Sequence, residues 1–283
     1  AYIADITTKK ERTKIYGFIG AIMGMGFMLG PVLGGYSASL SFGYLGTVLL
    51  AGVISLITLF CILFFLEESL PKRKRCKKIE IKLSSELNIF KKINELGNYK
   101  KVKTLFLREL FMAFGFSAFT SVFALYAKDL LGLDAQSLGF VLFLTGIFSI
   151  FNQAILINPI VNRIGTARAF NIGQFVLGLS TLALFIPVNV TVFVVINYFI
   201  TLGMALSVPT FKTMITGAVS AKKQGQILGI DEAIIAGNNG IAPLIAGGIY
   251  EIFTVAVFPF MALIFFTPLI LKEFLPVLRI KDR

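Results

Sequence analysis

The chain has no histidine, only two cysteines and few charges, with Asp, Glu, Lys and Arg making up 15% of its 283 residues. Without histidine, the usual general base at neutral pH and the commonest metal ligand are both missing. Most hydrolase and metalloenzyme chemistries therefore lose their machinery. Cys61 falls in an apolar run and Cys76 in a basic one, which leaves no sensible disulfide or thiolate metal site. No metal, no cofactor and no enzymatic activity are expected. No signal-peptide pattern opens the chain, and it begins at Ala1 inside what reads as a loop. The expectation is that further sequence lies upstream.

What is abundant is apolar. Hydrophobic residues make up 56% of the chain and the mean hydropathy is +0.84, beyond what a soluble chain of this length carries. The reading is an all-α, polytopic membrane protein embedded in a lipid bilayer. Stretches with little or no charge predict eight spans: Ile15 to Ser37, Tyr44 to Leu66, Leu105 to Tyr126, Ser137 to Val161, Ala167 to Pro187, Val190 to Phe211, Gln226 to Tyr250 and Ile252 to Leu271. Each has the length of about 20 residues that a bilayer demands. The fifth and sixth part at Pro187-Val188-Asn189, a turn sequence.

A net charge of +12 would suit a nucleic-acid partner if the basic residues were spread over one surface, but they are sorted along the chain. Lysines and arginines cluster before Ile15, between Glu67 and Lys103, at Arg163 and Arg168, from Lys212 to Lys223, and from Lys272 onward. All these segments fall on one side of the predicted topology. Arg108 marks the inner edge of the third span, and Lys128 alone falls outside. The positive-inside rule then puts both ends of the chain and the long central loop in the cytoplasm, within the cytoplasmic (plasma) membrane, and removes the nucleic-acid reading. The central segment opens with Pro71-Lys72-Arg73-Lys74-Arg75 and continues through Leu83, Leu87 and Phe90 at helical spacing. It reads as a solvated linker able to lie along anionic headgroups.

Gly17, Gly26, Gly30, Pro31, Gly34 and Gly35 lie in one uncharged stretch. In lipid, helices associate by close backbone approach, which glycine permits. Gly26, Gly30 and Gly34 share one face, and Pro31, by crowding the carbonyl of Phe27, is expected to kink the helix. This spacing resembles the fifth-helix antiporter motif of the major facilitator superfamily. Ala1-Tyr2-Ile3-Ala4-Asp5, Glu11 and Arg12 resemble the loop entering that helix in tetracycline and multidrug efflux proteins. A shift of 212 positions lays Lys10 on Lys222, Gly17 on Gly229, Pro31 on Pro243 and Gly35 on Gly247, as two parallel six-helix halves would. The second copy is degenerate, with Asn238, Ala242 and Ala246 at motif glycines.

Asn158 to Arg168 is similar to the superfamily's loop motif, with Arg163, Gly165 and Arg168 retained but Asn162 at the acidic position and Thr166 and Ala167 at basic ones. Gly165 is expected to supply a tight turn, and the arginines serve either gating or plain topology anchoring.

Polar residues inside spans are expensive in lipid and mark cavities or helix contacts. The candidates for a substrate or proton pathway are Asp231, Glu232, Asn238, Asn239, Asn152, Gln153, Asn171, Gln174 and Asn197. Asp231 shares a helix face with Asn238, and Glu232 with Asn239. One acid pairing with a base such as Arg108 is the structural alternative.

The resemblance implies the last eight helices of a twelve-helix transporter. Residues 1–66 would end the amino-terminal half, 67–103 would form the basic central loop and 104–283 the carboxyl-terminal six-helix half. It implies proton-coupled efflux of a small amphipathic compound or drug by alternating access, with protons as coupling ion and the preceding helices of the same protein as partner. An importer or exchanger of a small metabolite, and an inactive fragment or membrane scaffold, are the alternatives.

Overall fold

A computed structural model describes residues 25–26, 29–40, 42–66, 99–186, 188–220 and 223–271. Gly17, the loop before it, the Phe27 carbonyl, the central segment through Leu83, Leu87 and Phe90, and Lys222 lie outside the described residues. Among those described there are helices and no strands. They are α1 (29–39), α2 (Tyr44–Phe65), α3 (Tyr99–Asp129), α4 (Ala135–Phe151), a π-helical turn (Asn152–Leu156), α5 (Ile157–Ile164), α6 (Thr166–Ala183), α7 (Val190–Thr216), α8 (Gln224–Phe253) and α9 (Val257–Ile270).

Five helical segments are long and apolar enough to cross a bilayer: Tyr44–Phe65, Lys101–Asp129, Ala135–Ile164, Val190–Thr216 and Gln224–Phe253. They fall on predicted spans, because a run of about 20 apolar residues has few ways other than a helix to satisfy its backbone in lipid. The ends have local causes. Gly165 adopts φ +82°, a conformation that side chains other than glycine rarely take, and closes α5 while opening α6. Asn189 caps α7 by accepting the Val192 backbone N–H at 2.9 Å.

The described residues within Ala1–Glu86 and Leu133–Ile147 make one compact unit, and those within Leu87–Gly132 and Phe148–Arg283 make another. In the first, Thr47 of α2 donates to the Gly34 carbonyl at 3.0 Å, and Ser37 donates to the same carbonyl and to Thr47. No residue of α2 is buried.

In the second unit, α7 packs along α6, α8 along α3, and α9 lies against both α6 and α3. Aromatic side chains fill one end, where Tyr126 of α3 meets Phe193 of α7 and Phe258 of α9. The opposite end is closed by Val102, Leu105 and Phe106 of α3, Phe170 of α6, Phe211 and Met214 of α7, and Ile227 and Ile230 of α8. The side-chain hydroxyls of Thr120, Thr145, Thr181, Thr213 and Thr267 donate to carbonyls of their own helix.

Candidate functional site

The acidic residues Asp231 and Glu232 sit near that second end, about two turns into α8. Lys212 of α7 bridges them, with Nζ 2.6 Å from Asp231 Oδ2 and 2.7 Å from Glu232 Oε1. The side chain of Asp231 is fully buried and that of Glu232 is 67% exposed, with Lys212 between them at 32%. The ammonium thus joins a carboxylate inside the protein to one at its surface. Asp231 Oδ1 has no hydrogen-bond partner. Glu109 of α3 is also buried, within electrostatic reach of Asp231, Lys212 and Glu232, and its Oε2 is likewise unpartnered. Two buried carboxylates, Asp231 and Glu109, and the exposed Glu232 thus lie within electrostatic reach of one ammonium, an imbalance that a bound proton or cation relieves.

Two readings of the sequence change here. Lys212 was expected in an inner loop, yet it lies inside α7, where the ion pair to Asp231 holds it four residues before the helix ends. Asp231 pairs with Lys212 and not with Arg108. Glu109 was missed because, directly after Arg108, it reads as half of a charged pair at a span edge; the signal available was a carboxylate within an otherwise apolar run.

Arg108 turns the other way. It is buried, donates from a terminal guanidinium nitrogen to Asn171 Oδ1 of α6, and stacks over the Phe170 ring with Cζ 4.4 Å from the centroid. Gln174, one turn on from Asn171, is fully buried with both amide atoms unpartnered.

The remaining candidates divide by burial. Asn238 is buried and donates to the Leu110 carbonyl of α3 at 3.3 Å, whereas Asn239 is exposed, as Glu232 is. Asn152 is buried in the π turn and donates to Thr201 at 3.2 Å, leaving its Oδ1 unpartnered. Gln153 is exposed and bonds Ser149. Asn197 is buried on α7, one turn before Thr201. Arg163 and Arg168 are exposed on either side of Gly165.

Within the glycine motif, the close contact among the described residues is at Pro31 and Gly35. A Cβ on Gly35 would lie 2.5 Å from the Ala135 carbonyl oxygen, and one on Gly139 of α4 would lie 2.7 Å from the Pro31 carbonyl oxygen. Pro31 and Gly35, four apart, thus meet Ala135 and Gly139, four apart, backbone to backbone. Gly34 meets Thr47 at an ordinary 3.6 Å, and Gly26 and Gly30 meet no described atom within 4 Å.

A helical membrane bundle with glycine-mediated contacts and buried charges in its spans is the setting in which comparison with known proteins becomes informative. A sequence model of the Major Facilitator Superfamily matches residues 1–237 and again 110–279. The chain belongs to this superfamily. Among its relatives is Multidrug resistance protein 2 of Bacillus subtilis, 27% identical over 257 residues, which cover 89% of this chain and 62% of that protein. Quinolone resistance protein NorA of Staphylococcus aureus is 24% identical over 254 residues, covering 88% of this chain and 61% of its own. The chain therefore spans about three fifths of these relatives. The crystal structure of the human organic anion transporter MFSD10 (TETRAN) shares the fold at a TM-score of 0.65 and 21% identity, over 95% of this chain and 66% of that one.

Proposed function

We propose that the complete protein is a secondary transporter that exports small amphipathic compounds from the cell in exchange for protons, by alternating access. Superfamily membership and the two resistance proteins among the relatives support export. On this reading residues 1–66 end one half, 67–103 form a basic cytoplasmic linker and 104–283 form the six-helix second half, with both chain ends cytoplasmic in the plasma membrane. Preceding helices of the same protein complete the first half.

The observation that carries the coupling is the Lys212 bridge between buried Asp231 and exposed Glu232. A proton on Asp231 cancels its hold on the ammonium and leaves Lys212 with Glu232 alone. A cationic group on a substrate competes for the same carboxylates. Binding of either one therefore loosens the tie between α7 and α8, and a proton and a substrate compete for the same site, as exchange requires.

The test is proton-gradient-driven export of a fluorescent amphiphile such as ethidium by the complete protein in liposomes. Asp231→Asn is expected to lower export by about tenfold or more, as loss of one partner of a buried charge pair does, and to flatten its pH dependence. Glu232→Gln should do so more weakly. Wild-type export with an unchanged pH profile in both variants would leave the pair a structural role only, and uptake in place of export would favour an importer.

A further inference from the structure

We propose that Arg108, with Asn171 and Gln174, forms a buried receptor for an anionic group, a carboxylate or sulfonate, on the transported amphiphile. The inference rests on the transport reading above and deepens it by naming a substrate chemistry.

Among the described residues, Arg108 is a buried charge with no counter-charge. Arg108 is 2% exposed, so its guanidinium does not reach out to water or headgroups. Its partners are neutral: the Asn171 carboxamide and the Phe170 ring. Among the described residues no carboxylate pairs with it. Glu109 is its chain neighbour, yet on a helix adjacent residues point about 100° apart, and Glu109 is coupled to the acids of α8 and to Lys212 instead. An unneutralised cation inside a bilayer is among the costlier arrangements a protein can keep, and such residues belong to substrate or ion paths by default. A guanidinium is also the group best shaped to hold a planar oxyanion.

Polar atoms beside it are unused in the same way. The Arg108 Nε has no acceptor, and neither amide atom of Gln174 has a partner. Asn171 and Gln174 lie about 60° apart around α6 and ~4.5 Å along it, so both can address one group held by Arg108. The backbones of α3 and α6 are not close neighbours, since α9 packs on both, and the long Arg108 side chain crosses the space between them. A guanidinium donor on α3 and an amide donor one turn from its Asn171 partner thus lack acceptors, and an oxyanion supplies acceptors for both.

The experiment compares 2-naphthoate with 2-naphthamide, of the same shape but neutral, on the complete protein in detergent. Thermal unfolding reads binding, and liposomes report transport. Naphthoate is expected to raise the unfolding midpoint of the wild type, and naphthamide to leave it unchanged. Arg108→Gln should weaken the apparent affinity for naphthoate by roughly tenfold or more. Gln174→Leu, which keeps the charge and the strut to Asn171, should weaken it by less.

Equal stabilisation by both compounds, no stabilisation by either, or the same stabilisation by chloride alone would overturn the proposal. So would an Arg108→Gln protein that folds and keeps naphthoate selectivity. Naphthoate-selective stabilisation in a protein that exports nothing would instead sink the transport reading and leave the receptor standing.

Discussion

Helices α1 and α8 carry matching glycine and proline positions 212 residues apart, and they bury different faces. In α1 the buried contact uses Pro31 and Gly35, which touch Ala135 and Gly139 backbone to backbone, while Gly30 meets no described atom. In α8 the buried positions toward α3 are Asn238, Ala242 and Ala246, the counterparts of Gly26, Gly30 and Gly34. There Pro243 is half-buried, and a Cβ on Gly229 or Gly247 would meet no described atom within 4 Å. Of the matched pair Gly35 and Gly247, only Gly35 sits where backbone meets backbone. On α8 the buried positions carry a methyl group or an amide, and Asn238 donates to the Leu110 carbonyl.

The sharpest way to break this contrast is to fill the α1 contact. Gly35→Leu or Gly139→Leu pushes a side chain into a carbonyl oxygen that belongs to backbone and cannot swing aside, and each should cost about 3 kcal/mol and abolish transport. Urea or thermal unfolding of the complete protein in detergent checks the first part. A filled Gly35 with unchanged stability would mean that α1 and α4 do not touch this way.

A smaller effect is expected at the methyl-lined contact of α8. Ala242→Leu overpacks a buried position against α3 whose neighbours are side chains that can shift, so about 1–2 kcal/mol is lost. Gly247→Ala should fall within about 0.5 kcal/mol, because the added methyl meets nothing described and glycine gives way to a better helix former. If Gly247→Ala in the complete protein were as damaging as Gly35→Leu, both copies would be backbone contacts.

The smallest effect concerns the start of α4, beside the Gly35 contact. The Asp134 carboxylate accepts the Ser137 backbone N–H at 2.8 Å, which holds its pKa below the ordinary carboxylate value. A carboxylate whose pKa is lowered by folding adds stability at neutral pH that fades as pH falls through its folded value. Asp134→Asn should therefore remove a shallow acid-side dependence of the unfolding midpoint and change little above it.

The spans were legible because their lengths answer to bilayer thickness: Tyr44 to Leu66 was expected and Tyr44–Phe65 is found. Gly165 was legible because a loop motif needs a residue that tolerates positive φ. Asp231 stood out as an acid in an apolar run, but its partner did not, since a lysine at the end of such a run reads as a loop. Pairing of Lys212 with Asp231 is decided by how α7 and α8 lie together, which residue order alone does not state. The same holds for the glycine face of α1. Periodicity grouped Gly26, Gly30 and Gly34, while the neighbour that selects a face, Gly139, is about a hundred residues away.

The π turn at Asn152–Leu156 gives the fourth span one residue of slack. A turn of this kind is geometrically an α-helix with a single insertion, so the side chains after it are rotated by about 100° relative to an unbroken count. A helical wheel drawn through residues 135–164 therefore goes out of phase at Asn152, and faces assigned on one side of it do not continue to the other. It also makes this the place where the span tolerates a change in residue number. Deleting one residue within the turn would restore regular winding and keep Ile157 and Arg163 at their present angles, whereas the same deletion a turn earlier would swing them around the helix.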